Sequence, residues 1–175
     1  MGVAGTEWYV ALTQYLVFKG SFDLTMDEKH RVLIPQAIRK KFDPERDGNA
    51  FIAIEGVDGR LWLYPENYYD ALLVQGRSQA MPGADVLAYN RWNLGTAEAI
   101  ELDKQGRLLL PERTLAESGL GKDVTLVGVN DHLELWNRSE WEAERQALRG
   151  RKAEIAVKPP PTALPPQTPP PTQQG

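Results

Sequence analysis

Cysteine is absent from the 175 residues, and histidine occurs only at His30 and His132. Disulfides and thiolate metal sites are therefore excluded, and two histidines are too few for a histidine-rich zinc site. The sequence also lacks a nucleophile elbow, a phosphate-binding glycine loop and a histidine beside a plausible nucleophile. We therefore expect no bound metal, no cofactor, no catalytic residue and no enzymatic activity.

Long apolar runs are missing as well. No stretch approaches the roughly 18 uninterrupted apolar residues that would cross a bilayer. The N-terminus does not have the basic region, apolar run and cleavage site of a secretory signal peptide. We expect a cytoplasmic protein that makes no contact with a membrane.

An excess of basic residues is the third absence, because the net charge is −4. Proteins that coat nucleic acid through bulk electrostatics are usually strongly basic. The composition otherwise fits an ordinary globular chain, with 42% hydrophobic and 25% charged residues. Any contact with nucleic acid must therefore be made by a local cluster of basic side chains.

What the sequence does contain is one unit in two copies. The segment DEKHRVLIP, Asp27 to Pro35, recurs 76 positions later as DKQGRLLLP, Asp103 to Pro111, with its aspartate, arginine and proline at the same spacing. Two further segments, 51–54 and 60–64, match downstream residues at offsets of 73 and 72. The second copy is thus shorter by a net four residues, 76 minus 72.

Each copy has the pattern of a strand, a tight turn, a strand, a short helix, a strand, a turn and a strand. Phe22 and Leu24 alternate with polar neighbours, which predicts a half-buried strand. Pro35 is typical of the first position of a helix, here expected to reach Phe42. Asp58-Gly59 predicts a hairpin turn, and Asn130-Asp131 holds the equivalent place in the second copy.

Longer helices are predicted from Pro65 to about Gln79 and from Ser139 to about Lys152, and a short helix is predicted from Gly83 to Trp92. Eight of the last eighteen residues are proline, which favours extended polyproline II and disorder. The predicted divisions are an N-terminal extension (1–17), repeat 1 (21–68), a helical connector (69–96), repeat 2 (97–140), a C-terminal helix (141–157) and a proline-rich disordered tail (158–175).

The Asp-x-x-x-Arg loops, Asp27 to Arg31 and Asp103 to Arg107, carry the functional signal. An aspartate in such a turn can accept hydrogen bonds from turn amides, so Asp27 and Asp103 are predicted to brace the loops. Gly106 lies where a left-handed backbone is easiest. His30 lies at the same place in the first copy, where that conformation costs on the order of 1 kcal/mol relative to glycine.

The paired sequence resembles the MraZ family, whose members carry two Asp-x-x-Gly-Arg motifs in swapped-hairpin, AbrB-like units. The match covers Phe18 to about Glu142 and includes both Arg-(apolar)3-Pro segments. His30 departs from the family's glycine. Because the resemblance begins beside Val17, we expect Val17 to be the natural initiator, read from a GTG codon.

The resemblance implies an α+β, β-rich fold of two pseudo-symmetric swapped-hairpin AbrB-like β-barrel units with packing helices. It also implies a homo-oligomeric ring that binds double-stranded DNA at promoter direct repeats. The family regulates the division and cell-wall gene cluster from those repeats. Such a regulator would be associated with the nucleoid.

Basic residues of the loops are the candidate DNA-binding residues. Arg31 and Arg107 are predicted to donate to the N7 and O6 of guanine from a two-stranded ribbon in the major groove. Lys29 and Lys104 are expected near phosphates. A weaker second patch is predicted on the first short helix, at Arg39, Lys40 and Lys41.

Three other interpretations compete with this one. The ring could be a scaffold that binds no DNA, or the chain could be an AbrB-like antitoxin, although those usually carry one motif per chain. A hidden hydrolase would need Asp23, Asp27 or Glu28. Trp62, Trp136 and Trp141 are expected in the core or at subunit interfaces, and His132 is expected to cap a hairpin.

Overall fold

A computed structural model describes residues 17–75 and 83–157. The predictions for the N-terminal extension, for the end of the Pro65 helix and for the proline-rich tail therefore fall outside the described residues. By its internal contacts the chain divides into two units, residues 1–141 and 142–175. The first unit holds all the described strands, and the described part of the second is helical.

Eight strands and seven helices follow one another in the described ranges. The strands are β1 (Phe18–Thr25), β2 (Arg31–Leu33), β3 (Ala50–Glu55), β4 (Leu61–Pro65), β5 (Glu98–Glu101), β6 (Arg107–Leu109), β7 (Asp123–Asn130) and β8 (His132–Asn137). The helices are α1 (Gln36–Arg39), α2 (Pro44–Asp47), α3 (Glu66–Gln75), α4 (Ala84–Thr96), α5 (Glu112–Ser118), α6 (Arg138–Gly150) and α7 (Lys152–Val157).

Several helix bounds differ from the predicted ones, and Pro65, which was predicted to begin a helix, is the last residue of β4. Helix α1 ends at Arg39 and not at Phe42, and Pro35 is its N-cap rather than its first residue. Helix α4 extends past Trp92 to Thr96. The C-terminal helix is interrupted at Arg151, so that α6 and α7 are separate elements.

Strand pairing links the two repeats. Six strands form one antiparallel sheet in the order β1-β7-β8-β4-β3-β5, and β2 and β6 form a separate antiparallel ribbon. Strand β1 of the first repeat pairs along its length with β7 of the second, from Phe18↔Asn130 to Thr25↔Asp123. Strand β5 of the second repeat pairs with β3 of the first. The first strand of each repeat therefore extends the hairpin of the other.

The predicted β-barrel is wrong, because the six-stranded sheet is open within the described residues. Strands β1 and β5 are its two edges. The strands that would have to close the gap, β2 and β6, are only three residues long and pair with each other. Three-residue strands offer too few ladder hydrogen bonds to bridge both edges of the large sheet.

The main core lies between the ribbon and one face of the large sheet. It takes Val32 and Leu108 from the ribbon, which are both 0% exposed, and large side chains from the sheet such as Phe51 and Leu135. Strands alternate their side chains between two faces, so the neighbours of these residues point away from the core. This packing fixes the orientation of the ribbon, and one ribbon face is left outside.

On the opposite face of the large sheet, His132 is buried in a polar network. Its ring lies between Trp62 and Tyr64, with centroid distances of 4.4 and 4.8 Å. Its Nδ1 is 2.7 Å from Oδ1 of Asp131, and its Nε2 is 3.4 Å from Oε1 of Glu134. Burial lowers the pKa of His132, but these two carboxylates outweigh it and raise the pKa to about 9.

The prediction that His132 caps a hairpin misses this arrangement. The imidazole contacts two carboxylates and two aromatic rings, and it is the first residue of β8. Glu134 is itself held by Trp136, whose Nε1 donates to Oε2 at 2.8 Å. Trp136 is 7% exposed and lies edge-on to Trp141, which agrees with the expectation that these two tryptophans are packed against other residues.

Helix α4, in contrast to the buried network around His132, has no buried residue. Its large apolar side chains are exposed in this chain: Val86, Leu87, Tyr89, Trp92 and Leu94. It carries only two charged residues, Asp85 and Arg91. Helices that are apolar on all sides are normally buried.

Candidate nucleic-acid interface

The first Asp-x-x-x-Arg loop is closed by the Asp27 side chain. Oδ1 accepts from the backbone amides of Lys29 and Arg31, both at 2.9 Å. Oδ2 accepts from Nε of Arg31 at 2.8 Å and lies 2.7 Å from Nη2. One carboxylate therefore fixes both the turn and the arginine that follows it.

The second loop repeats this geometry. Oδ1 of Asp103 accepts from the amides of Gln105 and Arg107 at 2.9 Å. Oδ2 accepts from Nε of Arg107 at 2.7 Å and lies 2.7 Å from Nη2. The two loops, 76 residues apart in sequence, are thus built with the same hydrogen bonds.

Both carboxyl groups have lowered pKa values for related reasons. The Arg31 side chain, followed by the Arg31 amide, lowers the pKa of Asp27 to about 2. For Asp103 the amide of Arg107 is the largest cause, and the pKa again lies below its usual value. Both aspartates therefore remain ionised throughout the neutral and mildly acidic pH range.

His30 and Gly106 have the left-handed backbone that the sequence predicts, with φ values of 58° and 79°. In each loop this residue donates its amide to the carbonyl of the aspartate. The carbonyl of the same residue accepts a hydrogen bond from a backbone amide of the other repeat. The His30 carbonyl accepts from the Leu110 amide at 2.9 Å, and the Gly106 carbonyl accepts from the Ile34 amide at 3.0 Å. Each loop is therefore anchored by the strand of the other repeat.

The Arg39 side chain fills the space beside Gly106 that a larger residue would occupy, which accounts for a glycine in the second loop. A Cβ at Gly106 would lie 2.3 Å from Cδ of Arg39. Arg39 is held in this place because its Nε donates to the Ile34 carbonyl at 2.8 Å. The residue that corresponds to Arg39 beside His30 is Leu115, which has no such hydrogen-bonding group. Arg39 is thus a supporting residue of the second loop, whereas Lys40 and Lys41 are exposed.

Alanine at Gly106 should lower the free energy of unfolding by about 2–3 kcal/mol, from the left-handed backbone and from the contact with Arg39. Denaturant unfolding measures the loss. In an Arg39→Ala background the same substitution should cost only about 1 kcal/mol, because the steric part is gone. Equal losses in both backgrounds would show that Arg39 does not restrict this position.

The outer face of the ribbon brings the two arginines together. Arg31 pairs with Leu109 and Leu33 with Arg107, so these four side chains share one face. Leu33 is 49% exposed and Leu109 is 56% exposed, and both arginine side chains are 27% exposed. In an antiparallel pair such diagonal positions are about 7–8 Å apart.

Each guanidinium keeps donors for a ligand. Within the described residues, Asp27 is the only side chain bonded to Arg31, and Asp103 the only one bonded to Arg107. Both contacts use the Nε and Nη2 side, and a guanidinium has five N–H donors in a planar fork. The remaining N–H groups are held in a fixed plane at the protein surface.

Lys29 and Lys104 lie in the same loops, and both are exposed. They are not at equivalent positions, since Glu28 stands where the second loop has Lys104 and Gln105 where the first has Lys29. The four predicted basic residues lie in the two loops that border one ribbon.

Among residues 17–75 and 83–157, no cluster of three metal-ligating side chains occurs, and no helix is long and apolar enough to cross a membrane.

Sequence reasoning missed two features of this surface. The sequence predicts Leu33 and Leu109 only as members of apolar runs before a proline, yet the ribbon leaves both side chains exposed. The sequence predicts Arg39 as part of a basic patch and gives no sign that its side chain lies against Gly106. Period-two alternation within Arg31–Leu33 and Arg107–Leu109 is the signal that could have separated inner from outer residues.

These features define a tandem-repeat protein in which one chain supplies both halves of an arginine-bearing β-ribbon. A family model described as "MraZ protein" and as antitoxin-like matches residues 17–84 and 94–154, which together exceed half of the chain. The chain belongs to the MraZ family.

Named relatives are similar over most of their length. The chain is 33% identical to the transcriptional regulator MraZ of Natranaerobius thermophilus over 140 residues, which are 80% of this chain and 94% of the relative. It is 35% identical to the transcriptional regulator MraZ of Acetivibrio thermocellus over 127 residues, 73% of this chain and 85% of the relative. For the protein of that name from Moorella thermoacetica the identity is 35% over 126 residues, with 72% and 85% coverage.

Proposed function

We propose that the chain is a sequence-specific, DNA-binding regulator of transcription and not an enzyme, as the names of its relatives suggest. Its ribbon enters the major groove, where Arg31 and Arg107 donate to guanine bases and Lys29 and Lys104 contact phosphates. Its targets are direct repeats upstream of the division and cell-wall gene cluster. It acts in the cytoplasm at the nucleoid, and the two repeats form a swapped-hairpin pair.

The proposal rests on one observation, which is the duplication of a braced arginine on a single ribbon. Both arginines are oriented by the same three contacts to an aspartate. A two-stranded ribbon fits the major groove, which is about 12 Å wide. Preorganised guanidinium groups lose less conformational entropy on binding than free arginine side chains do. Solvated hairpin charges would not need such bracing in both copies.

An electrophoretic mobility shift with the full chain tests the function. The labelled probe is the DNA upstream of the chain's own gene, and the competitors are unlabelled probe and a shuffled sequence of equal composition. We expect the probe to compete at least about 10³-fold better than the shuffled DNA at physiological salt. Equal competition, or no shift by a folded protein, would overturn the proposal and favour the scaffold that binds no DNA.

Lys29 and Lys104 should contribute to affinity without contributing to sequence preference. Alanine at either position should weaken binding to probe and shuffled DNA by the same factor. It should also lower the slope of log K against log salt by about 1. Lys152→Ala, which lies outside both loops, is the matched control and should leave the slope unchanged. A loss confined to the specific probe would instead make the lysine a base-reading residue.

We also propose that the chain binds DNA as a homo-oligomeric ring. One ribbon offers few contacts, so neighbouring copies on direct repeats would multiply a weak individual affinity. Helix α4 supports this proposal, because its exposed apolar side chains form the kind of surface that association normally covers. A ring could also place the basic loops on one face, which would reconcile DNA binding with a net charge of −4.

Glutamate at both Tyr89 and Trp92 should reduce the oligomer to smaller species, because a charge in an apolar interface is strongly unfavourable. Both side chains are 56% exposed, so the fold of one chain should persist. Sedimentation velocity measures the mass, and circular dichroism reports the fold. Val57→Glu, at an 87% exposed apolar position, is the control. An unchanged mass in the double variant would exclude α4 from the interface.

A further inference from the structure

The outer face of the ribbon has one feature that the arginines do not explain. Two large aliphatic side chains, Leu33 and Leu109, are about half exposed at equivalent positions of the two repeats. Their inner neighbours, Val32 and Leu108, are completely buried, so the ribbon already has its core contacts. Because an exposed leucine occurs at the same position in both repeats, we expect the two leucines to have the same role on the outer face of the ribbon.

Register places each leucine directly opposite an arginine. Arg31 is the cross-strand partner of Leu109, and Arg107 is the partner of Leu33. Directly paired side chains on one face have Cβ atoms about 4.5–5.5 Å apart. Successive base pairs are stacked about 3.4 Å apart. A base read by an arginine and a base touched by its leucine partner therefore lie within about two base pairs of each other.

The chemistry of the major groove indicates what an aliphatic side chain contacts there. Guanine offers its N7 and O6 to arginine, and thymine offers a 5-methyl group to apolar side chains. We propose that Leu33 and Leu109 are specificity-determining residues that pack against thymine 5-methyl groups next to the guanines read by Arg107 and Arg31. This inference rests on the proposed DNA-binding function, and it adds A·T recognition to a surface otherwise suited to guanine.

The test removes only the methyl group. A specific site is selected from a random double-stranded library with the full chain, and each thymine is then replaced by deoxyuridine, one position at a time. At one or two positions beside a guanine, the affinity of the wild-type protein should fall by about fourfold, which corresponds to about 0.8 kcal/mol for one buried carbon group. If a C·G pair is placed at such a position, adding a 5-methyl group to its cytosine should strengthen binding, since that methyl lies where the thymine methyl lies.

Leucine variants assign each methyl group to a residue. Leu33→Ala should lose the difference between thymine and deoxyuridine at one position, and Leu109→Ala at the other, while the guanine preference remains. Val57→Ala, an exposed apolar residue in the β3–β4 turn, should keep both differences. Sedimentation of each variant separates a lost base contact from a lost subunit contact.

The possible outcomes are distinguishable. A specific complex that is insensitive to deoxyuridine at every position, or a selected site without thymine near its guanines, overturns this inference and leaves the proposed function intact. Leucine variants that lose affinity equally on thymine and deoxyuridine sites overturn it as well, because the leucines then act through structure. If the wild-type protein selects no site at all, the proposed function fails and this inference fails with it.

Discussion

Alanine at both Arg31 and Arg107 should reduce the preference of the protein for its specific site by about 30-fold to more than 10⁴-fold. A good bidentate arginine–guanine pair contributes about 1–3 kcal/mol of discrimination, and one chain presents two. Binding to shuffled DNA should decline far less, since most of that affinity comes from phosphate contacts. Competition in a mobility shift measures both quantities in one experiment.

Two controls separate base reading from charge. Arg113→Ala together with Arg149→Ala removes the same charge outside the loops and outside α4, and should leave the preference within about twofold of the wild type. Lysine at both Arg31 and Arg107 keeps the charge but cannot form the planar fork, so the preference should still fall. If the Arg113 and Arg149 variant loses as much preference as the loop variant, net charge and not base reading determines specificity.

The second large effect concerns stability and pH. In the folded chain the pKa of His132 is raised from 6.5 to about 9. Folding therefore favours the protonated form of His132. The stability that this protonation contributes is fully present below pH 6.5, and it is lost as the pH rises through about 9. The free energy of unfolding should fall by up to about 3 kcal/mol across this range.

Denaturant unfolding at a series of pH values from 6 to 10 measures this fall. His132→Gln should be less stable at pH 6, and it should lack most of the decline. His30→Gln is the matched control, because His30 is exposed in its loop, and it should show the wild-type decline. Parallel curves for wild type and His132→Gln would mean that His132 is not the group responsible.

Much of this fold could be predicted from local sequence. The hairpin turns at Gly59 and Asn130 follow from turn chemistry, and both have the positive φ that such turns require. The left-handed residues of the two arginine loops follow from the comparison of the repeats. These features depend on a few neighbouring residues, and short-range patterns record them directly.

Strand partnership could not be predicted in this way. Nothing in the sequence around Phe18 indicates that β1 pairs with β7 and not with β3 of its own repeat. The resemblance to a barrel-forming family misplaced the short ribbon strands, because length and pairing of β2 and β6 decide whether a barrel closes. Long-range pairing depends on loop geometry and core packing, which local periodicity does not encode.

The buried His132 network was missed for a related reason. The alternating sequence of β8 places His132 and Glu134 on the face opposite Leu133 and Leu135, and such polar positions usually face water. Trp62 from the neighbouring strand β4 covers that face instead. The burial is a property of the sheet as a whole, and the strand alone does not reveal it.

Because β1 pairs with β7 of the other repeat, the order in which the ribosome synthesises the strands affects when β1 can pair. Strand β1 is synthesised well before its partner β7, since Asp123 lies 98 positions after Thr25 (123 minus 25). At about 5–20 residues per second, β1 waits on the order of 5 to 20 seconds for that partner. Throughout this interval β1 lacks the strand that it pairs with in the folded chain, and an unpaired strand edge is a surface on which another chain can pair.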